Sequence, residues 1–269
     1  MKIIQYTQES KSKIISYIGD KYYKCLYLYL DLCQYGIDDK NVKVWVQEDD
    51  LNNITAVCLK YHTALHLYSK ENDFEVVTLV DLIKDETPSI ICAEVFLINA
   101  LAPFLAELNY QSEFGHIGMY QNSSEHNNIN FDDICAATNR DIDDIAKLLY
   151  EDEDIGASYT LCDLKQQIRE RLISGFTRSY VVKKDGELIA HVGSGAETNN
   201  VCTLSYLIVA PSYRQMGYAK HAVQYFCREL SKEGKEIYSV YYPESSRKLH
   251  HKIGFIDVCN FGKLYIRKH

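Results

Sequence analysis

The sequence lacks closely spaced cysteines. Nine cysteines are present among 269 residues, and no two lie closer than eight positions apart. The absence of a Cys-x-x-Cys pair argues against a zinc knuckle or a thioredoxin-like redox pair, and we expect no metal site. We expect most of these cysteines to be small buried apolar residues in a reducing compartment.

The sequence also lacks a long uninterrupted apolar run. Its N-terminus, Met1 to Gln5, has no basic region followed by an apolar core, which predicts that no signal peptide is present. The most apolar stretch, Ile90 to Leu108, is interrupted by Glu94, Asn99, Pro103 and Glu107. A bilayer would leave these polar groups without partners, whereas a packed helix tolerates them. We therefore expect a cytoplasmic protein with no membrane partner.

Arginine is absent from the first 130 residues, which hold ten lysines and 18 acidic residues. The rest of the chain holds 19 basic and 19 acidic residues, including all eight arginines. Because the guanidinium group suits phosphate recognition, a phosphate-rich ligand is expected in the second half. The acidic first half disfavours nucleic-acid binding. It is best explained as a solvated surface, the alternative being attraction of a cationic substrate.

A polar stretch between the halves predicts a linker. Residues 121–128 contain turn-forming side chains and no apolar periodicity. We therefore divide the chain into domains 1–122 and 128–269. Hydrophobic residues make up 46% and charged residues 25%, as in a globular protein. The 22 tyrosines favour many half-buried β surfaces.

Hydrophobic periodicity predicts a similar order of elements in both halves. The first half is expected to contain a helix from Ser10 to Tyr35, strands near 42–46, 54–59, 64–68, 76–80, 90–92 and 116–120, and a helix that ends at Leu108. The second half is expected to contain strands at 134–137, 180–182, 187–193, 201–209, 237–241, 255–259 and 264–266, and helices at 142–149, 163–174, 217–232 and just before Lys252. This order predicts an α+β fold, duplicated along the chain.

One strand-to-helix connection has the form of a phosphate cradle. Val209-Ala210-Pro211 ends an apolar strand, and Arg214-Gln215-Met216-Gly217-Tyr218-Ala219 leads into a helix. A helix N-terminus offers unpaired N–H groups to an anion, and Gly217 permits a close backbone approach. The pattern is neither GxGxxG nor a P-loop. By spacing alone, a plain connection is the other interpretation.

Two motifs resemble the GNAT superfamily of acyl-CoA N-acyltransferases. Arg214-x-x-Gly217-x-Ala219, after Val-x-Pro, is similar to the superfamily's signature loop. The segment 249–255, Leu-His-His-Lys-Ile-Gly-Phe, resembles its Leu-Tyr-x-Lys-Leu-Gly-Phe helix end. The likeness covers roughly 131–269. The first half, which has no such loop, resembles a degenerate copy of the same fold.

The resemblance implies a mixed, mostly antiparallel sheet flanked by helices, in two tandem copies, with acetyl-CoA as cosubstrate. It places the pantetheine arm along one strand and the diphosphate on the following loop. A strand N–H would polarise the thioester carbonyl. The cofactor-binding residues it implies are Leu207, Ile208, Val209, Arg214, Gln215, Met216, Gly217, Tyr218, Ala219 and Lys220.

The catalytic groups depart from the family pattern. His250 occupies the position of the usual thiolate-protonating tyrosine, and imidazole can donate a proton; a surface histidine without a role is the alternative. The common asparagine seven residues earlier is Pro243. The strand around Tyr206 has no glutamate, so Glu197 is the nearest carboxylate for a base acting through water, although a solvated turn residue is the simpler interpretation. Tyr206 is the third candidate catalytic residue beside His250 and Glu197. Tyr206 and His191 are expected to line the acceptor pocket, the alternative being that they are core residues.

Two functions follow as hypotheses. The first is an N-acetyltransferase that transfers an acyl group from acetyl-CoA to the amine of a small molecule or amino acid. The second is a non-catalytic CoA-binding regulatory module, because the strand glutamate is absent and the tyrosine is altered.

Overall fold

The computed structural model describes residues 1–7, 11–121, 130–152, 159–174 and 177–266. They form two compact units. One comprises Met1–Ile117, Tyr241–Pro243 and Asp257–His269, and the other comprises Gly118–Val240 and Glu244–Ile256. Most of the predicted linker lies outside the described residues, and the division into domains 1–122 and 128–269 stays a prediction.

The first unit has a sheet with helices on both faces. Its strands are β1 (Lys2–Gln5), β2 (Val42–Glu48), β3 (Ile54–Tyr61), β4 (Ala64–Tyr68), β5 (Ile90–Glu94) and β6 (Gln111–Tyr120). Its helices are α1 (Lys11–Ile18), α2 (Leu26–Tyr35), α3 (Val76–Glu86) and α4 (Val95–Leu101), with 3-10 helices at Gly19–Cys25 and Ala102–Leu108.

The second half of the chain repeats this order. The second unit contains β7 (Ile134–Ala136), α5 (Ile142–Tyr150), α6 (Leu161–Ser174), β8 (Ser179–Lys184), β9 (Glu187–Glu197), β10 (Val201–Val209), α7 (Tyr218–Ser231), β11 (Glu236–Tyr241) and α8 (Glu244–Ile253). The last strand, β12 (Phe255–Tyr265), belongs from Asp257 onwards to the first unit. Short 3-10 helices lie at Asn139–Asp141 and Pro211–Tyr213.

Each unit contains one parallel strand pair joined by a helix. In the first unit the strand order is β1-β2-β3-β4-β5-β12-β6, and β4 and β5 are parallel across α3. In the second unit the order is β11-β10-β9-β8-β7, and β10 and β11 are parallel across α7. The other pairings with a described register are antiparallel. The predicted mixed, mostly antiparallel α+β architecture is confirmed.

Both units have a core on each face of the sheet. In the second unit one core includes Phe226 and Leu230 of α7, and the other includes Ile145 and Leu149 of α5. Each side chain is at most 1% exposed. Their three- and four-residue spacing turns one helical stripe towards the sheet. These cores fix the start of α7 relative to β10, where the predicted site lies.

The hairpin turn and the helix cap that the sequence predicts are both present in the structure. The Asp185-Gly186 turn between β8 and β9 has positive φ at both residues, as a tight hairpin turn requires. Thr138 and Asp141 form a capping box, in which Thr138 Oγ1 accepts from the Arg140 N–H. All nine cysteines are free thiols, and six of them are buried, as predicted.

Several predicted elements are wrong or need revision. Residues 76–80 form the start of α3, not a strand. Their β-branched side chains suggested a strand, but Leu79, Val80, Leu82 and Ile83 are buried at helical spacing. The helix predicted from Ser10 to Tyr35 is divided by a 3-10 segment, and the two last strands are one continuous strand, β12.

Candidate functional site

Strand β10 carries a bulge at Tyr206. The register with β9 shifts between Ser205 and Ile208, and Tyr206 has φ 54°, in the left-handed region. A bulge bends a strand and turns neighbouring peptide groups away from the regular ladder. The parallel pairing with β11 runs only from Val201 to Leu204, which pairs with Ser239. Beyond that point the two strands part.

A cleft of about 370 Å³ opens where these strands separate. Its walls come from β10, β11 and α8, and its lining residues are Leu204, Ser205, Tyr206, Leu207, Ser239, Val240, Ser246 and His250. The volume is that of an ordinary ligand site. Two predicted catalytic residues, Tyr206 and His250, therefore share one cleft with the predicted cofactor-binding residue Leu207.

The predicted loop leads from the end of β10 to the start of α7. Its backbone turns through two residues with positive φ, Gln215 at 64° and Gly217 at 92°. Gly217 is the N-cap of α7, and no side chain caps the helix there. The first intrahelical bond runs from the His221 N–H to the Gly217 carbonyl, 3.0 Å away. The N–H groups of the first turn thus have no acceptor within the helix and favour an anion.

The need for glycine at 217 is conformational. A Cβ added at Gly217 would have no heavy atom within 4 Å, so packing does not demand a glycine. Its φ of 92°, however, is a region that L-residues rarely adopt. The open space in front of this turn leaves the helix start accessible, and Gln215, Met216 and Lys220 beside it are exposed.

Arg214 is held close to the strand end. Its Nε donates to the Val209 carbonyl at 3.1 Å, and its guanidinium lies 3.4 Å from an Asp152 carboxylate oxygen. The side chain is 50% exposed. The arginine therefore fixes the turn after β10 while adding a positive charge to the helix start.

His250 is buried, not a surface residue. It is 3% exposed, and its ring packs edge-to-face against Phe255 at 5.1 Å between centroids. Nδ1 lies 2.8 Å from the Ser246 carbonyl, and Nε2 lies 2.9 Å from Ser239 Oγ. Burial lowers the pKa of His250 below its ordinary value; the Ser246 carbonyl opposes this shift and His251 adds to it.

Glu197 lies apart from the cleft residues. It is the last residue of β9 and not part of a solvated turn. Its carboxylate is 2.7 Å from Arg178 and 3.1 Å from Lys235, and its side chain is 9% exposed. It is absent from the lining of the cleft. The Glu197 carboxylate is thus engaged in two ion pairs, and it does not line the cleft that Tyr206 and His250 share.

His191 lies under α6, beside a cavity of about 20 Å³. Its Nδ1 donates to the Tyr206 carbonyl at 2.9 Å, and Nε2 lies 3.2 Å from Ser179 Oγ. Burial lowers the pKa of His191 to about 4. The Arg171 guanidinium stacks over the Tyr206 ring at 4.3 Å. His191 and Tyr206 both line this cavity, which has room for about one water molecule.

Sequence reasoning missed Ser239. Its hydroxyl meets His250 at the point where β10 and β11 part. A weak signal was present, because Ser239 is a polar residue between the hydrophobic residues Tyr238 and Val240 of a strand that is otherwise apolar after Glu236. Its partner lies eleven positions later on a helix, so spacing could not identify the pair.

Neither a membrane-spanning helix nor a metal-binding cluster of side chains is found among the described residues. No helix in the described ranges is long and apolar enough to span a bilayer. No three His, Cys, Asp or Glu side chains in that same part of the chain come together as a metal site would require.

Comparisons with known proteins support the resemblance. The sequence model of the acetyltransferase (GNAT) family matches residues 142–255. No curated protein matches the chain.

Solved structures share the fold over nearly the whole chain. A GNAT-family acetyltransferase from Colwellia psychrerythraea has a TM-score of 0.61 at 14% identity, covering 99% of this chain and 100% of its own. A Drosophila protein has a TM-score of 0.68 at 11% identity, covering 98% of each chain. A GCN5-related N-acetyltransferase from Sphaerobacter thermophilus has 0.65 at 11% identity, covering 97% and 94%. The shared fold spans both units, consistent with two tandem copies. Within its second half, over residues 142–255, the chain is therefore similar to the acetyltransferase (GNAT) family.

Proposed function

We propose that the protein is an acetyl-CoA-dependent N-acyltransferase that acts on the amine of a small molecule or amino acid. One observation carries the proposal: the uncapped start of α7 lies directly after β10, the strand that lines the cleft. A helix start that favours an anion and a cleft lined by the preceding strand suit a ligand with a diphosphate at one end and a thioester at the other.

The helix start would hold the diphosphate through its peptide groups. The residues in place are Gln215, Met216, Gly217, Tyr218, Ala219 and Lys220, with Arg214 supplying charge. Leu207, Ile208 and Val209 of β10 would hold the pantetheine arm. Ile208 and Val209 are paired with β9 on one side, which leaves the opposite edge of β10 for the arm. The bulge at Tyr206 supports an oxyanion role for a peptide N–H of this segment.

The equivalent helix start in the first unit is unsuited to a diphosphate. Helix α3 also connects two parallel strands, but Glu75 is its N-cap residue, and Glu71 and Asp73 stand just before it. The Glu75 N–H is already bound by the Gln47 side chain at 2.8 Å. Carboxylates near a phosphate repel it. This contrast supports one CoA site, in the second unit.

Bound acetyl-CoA supplies the acyl group as a thioester. The chain has to orient the thioester carbonyl, admit a neutral amine and supply a proton for the leaving sulfur. The acceptor nitrogen forms a bond to the carbonyl carbon and the carbon–sulfur bond breaks. The cleft supports this chemistry with polar groups from three elements.

Calorimetry with acetyl-CoA tests the binding site. Gly217→Asp puts a carboxylate where the diphosphate is expected and forces an L-residue into φ 92°. We expect at least about 100-fold weaker binding, since charge repulsion and backbone strain act together. Gly186→Asp is the matched control, because Gly186 has φ 85° and open space around it but lies in the β8–β9 turn. Folded wild-type protein that does not bind acetyl-CoA refutes the proposal.

A non-catalytic CoA-binding module is the second candidate. It is favoured by one observation: the Glu197 carboxylate is engaged by two cations, and no carboxylate lines the cleft among the residues described. A panel of primary amines, with thiol release as the readout, separates the two. Turnover of any amine excludes the second candidate, and tight CoA binding without turnover supports it.

A further inference from the structure

The Ser239–His250 pair lies at the place where β10 and β11 part. Ser239 is the last residue of β11 in the parallel register, and both side chains line the cleft. Ser239 is 2% exposed and His250 is 3% exposed. The pair is thus shielded from bulk water yet borders the space that the reacting groups would occupy.

The hydrogen bonds determine which ring nitrogen of His250 carries the proton. The Ser246 carbonyl can only accept, so the 2.8 Å contact places a hydrogen on Nδ1. In the neutral ring Nε2 is then an acceptor, and the Ser239 hydroxyl donates to it at 2.9 Å. A hydroxyl, an imidazole and a carbonyl that orients the imidazole form a chain that can accept a proton from the cleft.

The surroundings keep His250 neutral before reaction. It is faced by Ser239 from β11, by the Phe255 ring of β12 and by Ser246 and His251 of its own helix, while Tyr206 lines the cleft from β10. Burial and His251 lower the pKa of His250. A neutral imidazole whose only proton is bound to a carbonyl cannot act first as an acid.

We propose that Ser239 and His250 form a proton relay, in which the Ser239 hydroxyl accepts a proton from the acceptor ammonium group and passes its own proton to Nε2 of His250. This inference rests on the proposed function. The neutral amine attacks the thioester, and the imidazolium returns its proton through Ser239 to the departing thiolate. The second amine proton leaves to solvent as the amide forms, so the products are amide, thiol and one proton.

A second Ser–His pair in the same unit serves as an internal comparison. His191 also donates from Nδ1 to a carbonyl, that of Tyr206, and faces Ser179 through Nε2. Its cavity of about 20 Å³ has no room for an acceptor amine. We therefore assign the relay to Ser239 and His250, which line the larger cleft. Substitution of Ser179 is the control, because it also removes a serine that is hydrogen-bonded to a histidine.

The pH dependence of kcat/KM for a primary alkylamine (pKa about 10) tests the relay. With the relay, kcat/KM is flat between the pKa of His250, which burial lowers below its ordinary value, and the pKa of the amine. Without it, only the free amine reacts, and kcat/KM rises tenfold per pH unit over this range. We expect Ser239→Ala to show the rise and to lose about 10²- to 10⁴-fold at pH 7, with unchanged affinity for acetyl-CoA.

Two further variants make the result decisive. His250→Gln keeps an acceptor for the Ser239 hydroxyl but no base, and we expect the same rise. Ser179→Ala should keep the flat region whatever its absolute rate. Ser239→Ala or His250→Gln enzyme with a flat profile overturns the relay, as does loss of the flat region in Ser179→Ala alone.

A covalent alternative and failure of the proposed function give different results. If wild type incubated with acetyl-CoA alone carries an acetyl group on Ser239, the serine is a nucleophile and the relay is wrong. If wild type binds acetyl-CoA but turns over no amine, the proposed function fails and the relay fails with it. Turnover with a profile that does not depend on Ser239 overturns the relay alone.

Discussion

Glu197→Gln distinguishes a structural ion pair from a catalytic base. Glu197 lies between Arg178 and Lys235, and Arg178 also pairs with Glu233 at 2.6 Å. The side chains of Glu197 and Lys235 are each 9% exposed. The substitution leaves the shape almost unchanged but removes the negative charge facing a nearly buried ammonium group.

The expected loss of stability follows from this burial. Removing one partner of a buried ion pair costs about 3 to 5 kcal/mol. The lower end applies here, because Lys235 keeps a hydrogen bond to the Thr198 carbonyl and Arg178 keeps Glu233. A loss of about 3 kcal/mol lowers Tm by about 6 to 12 °C. Glu233→Gln is the matched control: Glu233 is 45% exposed, and a surface pair contributes about 0 to 1 kcal/mol.

Differential scanning fluorimetry and amine turnover measure the two properties separately. We expect Glu197→Gln to lower Tm by the amount above and to keep kcat/KM within about threefold of wild type at a temperature where it is folded. A fall in kcat/KM of more than about 100-fold with little change in Tm would show that Glu197 is the base after all, and would refute the structural role.

Two further predictions concern stability. Burial raises the pKa of Asp31 to about 7 and lowers that of His66 to about 4. The fold therefore loses stability as pH rises from about 4 to about 7, where Asp31 is ionised in the unfolded chain but still protonated in the fold. It separately loses stability as pH falls from about 6.5 to about 4, where His66 is protonated only in the unfolded chain. Asp31→Asn should therefore raise Tm more at pH 8 than at pH 5, and a lower Tm at pH 8 would show instead that Asp31 and His66 are a charged pair. Thr138→Ala removes the capping box that precedes α5 and should cost about 1 kcal/mol in urea unfolding; an unchanged midpoint would contradict this role of the cap.

The elements whose signals are local were predictable from the sequence. Strand β10 has the predicted bounds, and α7 begins one residue after Gly217, because a proline after an apolar strand and a left-handed glycine determine the connection. The Asp185-Gly186 turn follows from its own two residues. The loop from Arg214 to Ala219 could therefore be identified without knowledge of the rest of the fold.

Predictions failed where tertiary contacts outweigh local preference. Residues 76–80 favour a strand by composition, but two parallel strands need a crossover connection, and α3 provides it by burying one apolar stripe. The C-terminal strand β12 was predicted as two strands, but it is one. Within the first unit, residues Phe261 to Tyr265 pair with β5, a partner about 170 positions earlier that no local pattern could identify.

The sequence by itself determined the conformation of the loop that ends at Gly217, because peptide conformation and helix ends depend on neighbouring residues. Only the tertiary structure decided which polar side chains face one another. Glu197 and His250 were both candidates for catalysis by residue type. The fold places two cations around Glu197 and gives His250 a serine and a carbonyl in a buried cleft. These contacts join residues far apart in the chain, and the protonation state and reach of each group depend on them.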